Sequence, residues 1–221
     1  MLREINLDEV SDGKLYTRND MVRTDCGGCE GCSSCCRGMG SSIVLDPLDI
    51  YRLTTGLHLS FEELLAGYIE LNMADGIILP NLKMSGDDDA CAFLNEDGRC
   101  RIHSFRPGIC RLFPLGRFYE DQSFKYFLQV HECPKPQKGK VKIHKWLDTP
   151  DIKKYEDFIT KWHYFLKRLQ EASLGNMSDA TRKNLSMYIL NQFYIQPYTD
   201  ADFYIQFDER LKKAMEYTAN V

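Results

Sequence analysis

The chain has 221 residues, of which 43% are hydrophobic and 27% charged, and a formal net charge of −4. That length suffices to bury a real hydrophobic core, and the composition is that of a globular protein rather than a disordered chain. The acidic balance argues against broad attraction to a DNA or RNA backbone, so no nucleic-acid partner is expected.

The opening "MLREINLDEV" has neither a basic n-region nor an apolar h-region, and runs such as "GIILP" and "MYILNQFYI" are too short to span a bilayer. A cytoplasmic protein with no membrane partner is therefore expected. Thiols stay reduced there, which makes nine cysteines, an odd number, a poor disulfide framework. Metal binding becomes the default use for them.

Residues 1–40 are polar and end in "CGGCEGCSSCC" (26–36), whose glycines and serines read as a loop wrapped around something. "SSIVL" (41–45) reads as a strand. "DPLDIYRLTTGL" (46–57) starts a helix with Pro47 in the first turn, where a missing N–H costs nothing. A second helix begins at Ser60, with Ser60 and Glu63 spaced as a capping box. "IILPNLKM" (77–84) is extended, and Pro80 places it at a sheet edge. "CAFLNEDGRCRIH" (91–103) reads as a hairpin around Asp97-Gly98, and "RFYEDQSFKYFLQV" (117–130) as a second one around a polar turn.

The lysine-rich stretch 135–148 reads as a solvated connector. Beyond it Ile152, Tyr155, Ile159, Trp162, Leu166 and Leu169 recur every three or four residues, which puts them on one face of a helix over 151–172. Residues 178–195 and 200–218 repeat the pattern, with Pro197 breaking the helix between them. Trp162, Phe165, Met187, Tyr188, Phe193, Phe207 and Met215 read as helical core rather than as a ligand pocket. The expected fold is α+β: a cysteine-rich metal-binding domain of short strands and helices over 1–134, the connector over 135–149, and a helical region of about three helices over 150–221 packing on it.

Five cysteines in eleven residues, in steps of C-x2-C, are a metal-ligand signal. Two intervening residues let a tight turn bring two sulfurs to one centre, at about 2.3 Å for zinc, while main-chain N–H groups face the sulfurs. Cys91, Cys100, Cys110 and Cys133 add four more thiols. Cys35 and Cys36 are adjacent and project to opposite sides in extended chain, so they serve two centres or only one of them is a ligand. The packed x2 run is closer to ferredoxin spacing than to the two separated knuckles of a zinc ribbon, although soft sulfur suits both metals. Iron–sulfur stands slightly ahead of zinc on this chemistry.

Cys29-x2-Cys32-x2-Cys35-Cys36, then "IVLDPLDIYRL", then "CAFLNEDGRCRIHSFRPGICRLFP" resembles the CxxCxxCC cysteine-cluster family (YkgJ-type), described as a zinc- or iron-chelating domain. Asp49, Phe93, Leu94, Arg106, Pro107, Arg111, Phe113 and Pro114 complete the pattern over about residues 26–134, just under half of the chain. The resemblance implies Cys29, Cys32, Cys35, Cys36, Cys91, Cys100, Cys110 and Cys133 as metal ligands, with Cys26 spare. It implies an iron–sulfur cluster of 4Fe–4S type, with room for a second zinc or iron site, or a structural zinc module used for protein contacts.

One branch of the family resembles flagellin lysine-N-methylases, which implies S-adenosylmethionine as a cofactor and a protein or peptide substrate. In that case Arg106, Arg111 and Arg117 are the candidates to grip the donor's carboxylate, since a guanidinium fork matches one; beside thiolates they also damp charge. Asp87, Asp88 and Asp89 read as a solvated turn. His103 and His131 flank cysteines and read as hydrogen-bonding or surface residues. No Walker loop, G-x-G-x-x-G, G-x-S-x-G or H-E-x-x-H occurs.

Overall fold

The computed structural model describes residues 6–25, 27, 32–135, 139–175, 177–199 and 202–219. A short helix α1 (Leu7–Val10) and strand β1 (Met21–Asp25) precede the cysteine run, whose end turns as one 3₁₀ step at Ser34–Cys36. Helices α2 (Pro47–Leu57) and α3 (Phe61–Gly67) lead into β2 (Ile69–Ala74), β3 (Ile77–Leu82) and the short strands β4 (Met84–Ser85) and β5 (Ala90–Cys91). A 3₁₀ step at His103–Phe105, helix α4 (Gly108–Leu112) and strands β6 (Leu115–Glu120), β7 (Ser123–Leu128) and β8 (Gly139–Lys142) follow. The chain closes with α5 (Ile143–Leu147), α6 (Ile152–Leu174), α7 (Asp179–Leu190), a π turn at Asn191–Ile195 and α8 (Phe203–Tyr217). The strands form four antiparallel pairs: β1 with β8, β2 with β3, β4 with β5, and β6 with β7. The fold is α+β. Among the described residues, no helix is long and apolar enough to cross a membrane.

Local chemistry explains most of these limits. Asp46 caps α2 by accepting the Asp49 N–H at 2.9 Å, Asp49 returns the favour to the Asp46 N–H at 3.1 Å, and Pro47 fills the first turn. Ser60 and Glu63 form the same reciprocal box at the start of α3, as their spacing predicts. The β6–β7 hairpin turns at Asp121 and Gln122 and matches its expectation. The α7 helix and its π turn end just before Pro197.

Three expectations change. The 41–45 segment is not a strand of its own: Val44 makes a single bridge to Asn81, because a turn at Gly40–Ser41 and the α2 cap at Asp46 leave no room for more. The 91–103 hairpin shrinks to one bridge, Leu94 to Cys100, around the Asp97-Gly98 turn. The connector is not a bare linker. Its Gly139–Lys142 pairs with Met21–Asp25, and Ile143 and Leu147 are fully buried with Val22, Leu112, Leu115, Tyr126 and Leu128 in a small second core.

The main core joins the two ends of the chain. Leu45, Leu53, Leu64, Ile69, Ile77 and Phe93 pack in one cluster with Tyr155, Phe158, Trp162, Phe193 and Phe207. One face of α6, from Tyr155 to Leu169, supplies much of that cluster, which is what its three-to-four periodicity requires. Polar pins cross the same boundary: the Gln170 amide donates to the Ala74 carbonyl at 3.1 Å, and the Ser173 hydroxyl to Gly76 at 2.9 Å. Met187 and Met215, expected in the core, are about half exposed (52% and 53%), whereas Trp162, Phe165, Phe193 and Phe207 are buried.

Candidate metal centre

Four separate pieces of local structure carry the cysteines. Cys35 and Cys36 lie in the 3₁₀ step, where the Cys36 N–H donates to the Ser33 carbonyl at 2.8 Å. The chain just after them is held against the strand that carries Cys91: Arg37 bridges Ala90, the Gly38 N–H donates to the Asp89 carbonyl, and Arg37 pairs with Asp88 at 2.7 Å. Asp88 and Asp89, read from sequence as a solvated turn, thus help dock the cysteine run. Cys91 is in β5, opposite Met84; Cys100 is bridged to Leu94; Cys110 sits in the middle of α4. Cys32 and Cys133 are half-buried, and Cys26 and Cys29 lie outside the described residues.

Electrostatics ties four of these thiols together. Burial raises the Cys110 thiol well above its ordinary range, then Asp49 adds to it, then Cys91, Cys35 and Cys100. Burial first, and then Cys100 and Cys35, raise Cys91; burial and Cys35 raise Cys100. Cys35 is raised first by its hydrogen bond with Cys36 and then by burial. Opposing pulls come from main-chain N–H groups, Phe93 toward the Cys91 sulfur and Ile102 toward the Cys100 sulfur, and from Arg106 near Cys35 and Cys100.

N–H groups aimed at sulfur and a guanidinium beside it stabilise thiolate, the form that ligates a metal. A bound cation would displace the protons that burial otherwise favours. Among the described residues, no group of three or more His, Cys, Asp or Glu side chains is arranged to hold a metal ion. As a donor set, soft sulfurs compensated by Arg106 fit zinc or iron.

Residues 28–134 match the family model of CxxCxxCC, described as "Putative zinc- or iron-chelating domain". This segment, just under half of the chain, is similar to a CxxCxxCC domain. Metal binding is the function that the match supports, and no solved structure matches the chain.

The arginines of the matched segment divide by role. Arg111, only 6% exposed, spends its three nitrogens on the carbonyls of Arg106, Asp148 and Ser104, so it pins the loop before α4. Arg117 donates to the Tyr155 hydroxyl at 2.8 Å and lies over the Phe124 and Tyr155 rings. Arg106 is the one beside the thiols; its guanidinium also meets His103 Nε2, and burial and Arg106 both lower the His103 pKa. The hydrogen-bonding role read for His103 is the one it has. His131 is exposed.

Sequence reasoning missed what surrounds Cys110. Asp49, 2% exposed, reaches from α2 to accept the Gly108 N–H at 2.7 Å. Burial pushes both Asp46 and Asp49 upward, with the Asp49 charge adding to the push on Asp46; Arg52 and Arg117 pull both down. The Asp46-x-x-Asp49 spacing was the available signal, but it announces only a helix cap.

Proposed function

We propose that the matched segment holds a 4Fe–4S iron–sulfur cluster on Cys35, Cys91, Cys100 and Cys110, in a cytoplasmic protein. The observation that carries this reading is that the end of the cysteine run is docked on the strand that carries Cys91, through Arg37 with Ala90 and Gly38 with Asp89, while Cys35 adds to the upward push on Cys91, Cys100 and Cys110. Four thiolates are the ligand complement of such a cluster. The x2-spaced run that supplies Cys35 adds support, and so do the N–H groups of Phe93 and Ile102 at the Cys91 and Cys100 sulfurs, since hydrogen bonds to sulfur tune cluster potential.

When bound, the cluster supplies one-electron chemistry or a structural cross-link. The chain's own residues do the rest. Cys91 is buried and Cys35, Cys100 and Cys110 are half-buried, Arg106 offsets part of the negative charge, and Cys36 stands as hydrogen-bond partner to Cys35 at the edge of the set. Anaerobic purification with elemental analysis and a visible absorption spectrum tests the proposal. Iron and sulfide with broad thiolate-to-iron absorption are expected. Colourless protein with stoichiometric zinc and no iron would replace the cluster with a zinc site.

A further inference from the structure

Cys110 is carried by a five-residue helix that cannot hold its own place. A helix this short is below the length at which helix formation sustains itself, and Pro107 at its N-cap provides no side-chain cap. Its first N–H, that of Gly108, is satisfied from another element: Asp49 Oδ1 of α2 accepts it at 2.7 Å. The other Asp49 oxygen accepts the Asp46 N–H at 3.1 Å, so one buried carboxylate belongs to the start of α2 and the start of α4 at once.

The space beside Gly108 is closed by α6. A Cβ on Gly108 would collide with the Tyr155 hydroxyl while making only ordinary contact, at 3.6 Å, with Asp49 Oδ1, so it is Tyr155 that leaves room for no side chain here. Tyr155 is 1% exposed, and Arg117 aims its hydroxyl by donating to it at 2.8 Å. Gly108 is therefore held by two groups, its N–H by Asp49 and its Cα by Tyr155, two residues before Cys110. Tyr155 lies beyond the 28–134 segment.

We propose that Asp49 and Tyr155 are positioning residues for the metal centre: they clamp Gly108, fix α4, and so set Cys110 among the other thiols. The helical region then completes the site instead of merely resting on it. This inference rests on Cys110 being a ligand, as proposed above.

The test uses protein purified anaerobically with its metal, and reads the rate of metal loss to an excess of chelator together with the visible spectrum. Asp49→Ala is expected to speed metal loss by about tenfold or more, the range seen when groups supporting a ligand are removed. Asp46→Ala, which breaks the same α2 capping box but leaves the Gly108 contact, is expected to change it far less. Asp49→Asn, which keeps an acceptor for Gly108, is expected to restore most of the retention.

Gly108→Ala gives a route independent of α2, because it leaves the capping box whole. It is expected to accelerate metal loss, and the double variant Gly108→Ala/Tyr155→Phe, which removes the colliding hydroxyl, to recover it. Equal effects of Asp46→Ala and Asp49→Ala would reduce Asp49 to a helix cap and overturn its part. A folded Gly108→Ala protein with unchanged retention and spectrum would overturn the clamp. So would an unfolded one whose fold, but not metal retention, returns with Tyr155→Phe. Cys110→Ser separates this inference from the reading beneath it. If that variant keeps its full metal content, the assignment of Cys110 fails; if it loses metal while the clamp variants do not, only the clamp fails.

Discussion

The Tyr194 hydroxyl donates to the main-chain carbonyl of Leu45 at 3.0 Å, with both residues almost wholly buried, at 3% and 1% exposure. Tyr194 closes the π turn after α7, and Leu45 enters the cap of α2. One hydrogen bond thus fastens the helical region to the segment that positions Asp49. Tyr194→Phe preserves the ring and removes the donor, leaving a buried carbonyl short of a partner. Such a loss costs about 1–3 kcal/mol. Urea unfolding should report it as a lower midpoint with an unchanged slope; an unchanged midpoint would mean that water replaces the hydroxyl at no cost.

The shared core carries a larger consequence. Tyr155, Phe158, Trp162, Phe193 and Phe207 pack directly against Leu53, Leu64, Ile69, Ile77 and Phe93. A fragment ending at residue 149 would expose all of the latter. We expect it to be insoluble, or to bind a hydrophobic dye and unfold without a cooperative transition. Cooperative unfolding of the isolated fragment would show that the cysteine-bearing part folds alone.

Gly116 and Phe127 are directly opposed in the β6–β7 pair, and a Cβ on Gly116 would run into the Phe127 ring. The ring is 4% exposed and covers the glycine, an arrangement in which the aromatic face substitutes for the missing side chain. Gly116→Ala should therefore destabilise by overpacking, by about 1–3 kcal/mol, despite alanine's better strand entropy. Adding Phe127→Leu should make the pair of changes cost less than the sum of the singles. Additive effects in a thermal-denaturation cycle would mean that the ring moves aside freely.

His163 stacks on Tyr119 with ring centroids 3.5 Å apart and planes within 5°. Burial first, and then positive charges that include the N-terminal amine, Lys167 and Arg117, push its pKa down to about 4. A base with a depressed folded pKa binds fewer protons folded than unfolded between about 4 and its ordinary 6.5, so stability rises with pH across that window. It is complete above 6.5 and is lost progressively as pH falls toward 4. Solvent screening of the partly exposed ring reduces the effect to on the order of 1–2 kcal/mol. Comparing chemical unfolding at pH 7 and pH 5, His163→Phe should keep the stacking and flatten this part of the profile. An identical slope in both proteins would assign the dependence to other groups.

What the sequence made legible was whatever is decided locally. The Ser60–Glu63 box, the α6 stripe and the β6–β7 hairpin all depend on neighbours within a few residues, and each appears where expected. The connector was misread because its lysines hide an alternation, Val141, Ile143 and Leu147, that becomes meaningful only when β1, more than a hundred residues earlier, comes to pair with it. The Asp75-Gly76 turn that joins β2 to β3 was legible by its residue pair and was overlooked. In the metal centre, spacing named the sulfurs but not their grouping. Which thiol meets which is set by long-range contacts such as Arg37 with Ala90 and Asp49 with Gly108.

That grouping gives the last prediction. Serine is nearly isosteric with cysteine but presents a hard oxygen, a poor ligand for the metals that thiolates select. Replacing Cys35, Cys91, Cys100 or Cys110 singly with serine should lower the metal retained against a chelator by at least the roughly tenfold that outer-shell changes cost, with loss of visible absorption. Cys26→Ser should leave both unchanged, because Cys26 stands outside the CxxCxxCC spacing that begins at Cys29 and outside the 28–134 match. Secondary structure measured by circular dichroism separates ligand loss from unfolding, since each of the four can also contribute as a small buried hydrophobe. Full metal content in any two of the four serine variants would dismantle the proposed set. A Cys26→Ser protein that loses its metal would make the run itself, rather than its overlap with the family pattern, the ligand-bearing unit.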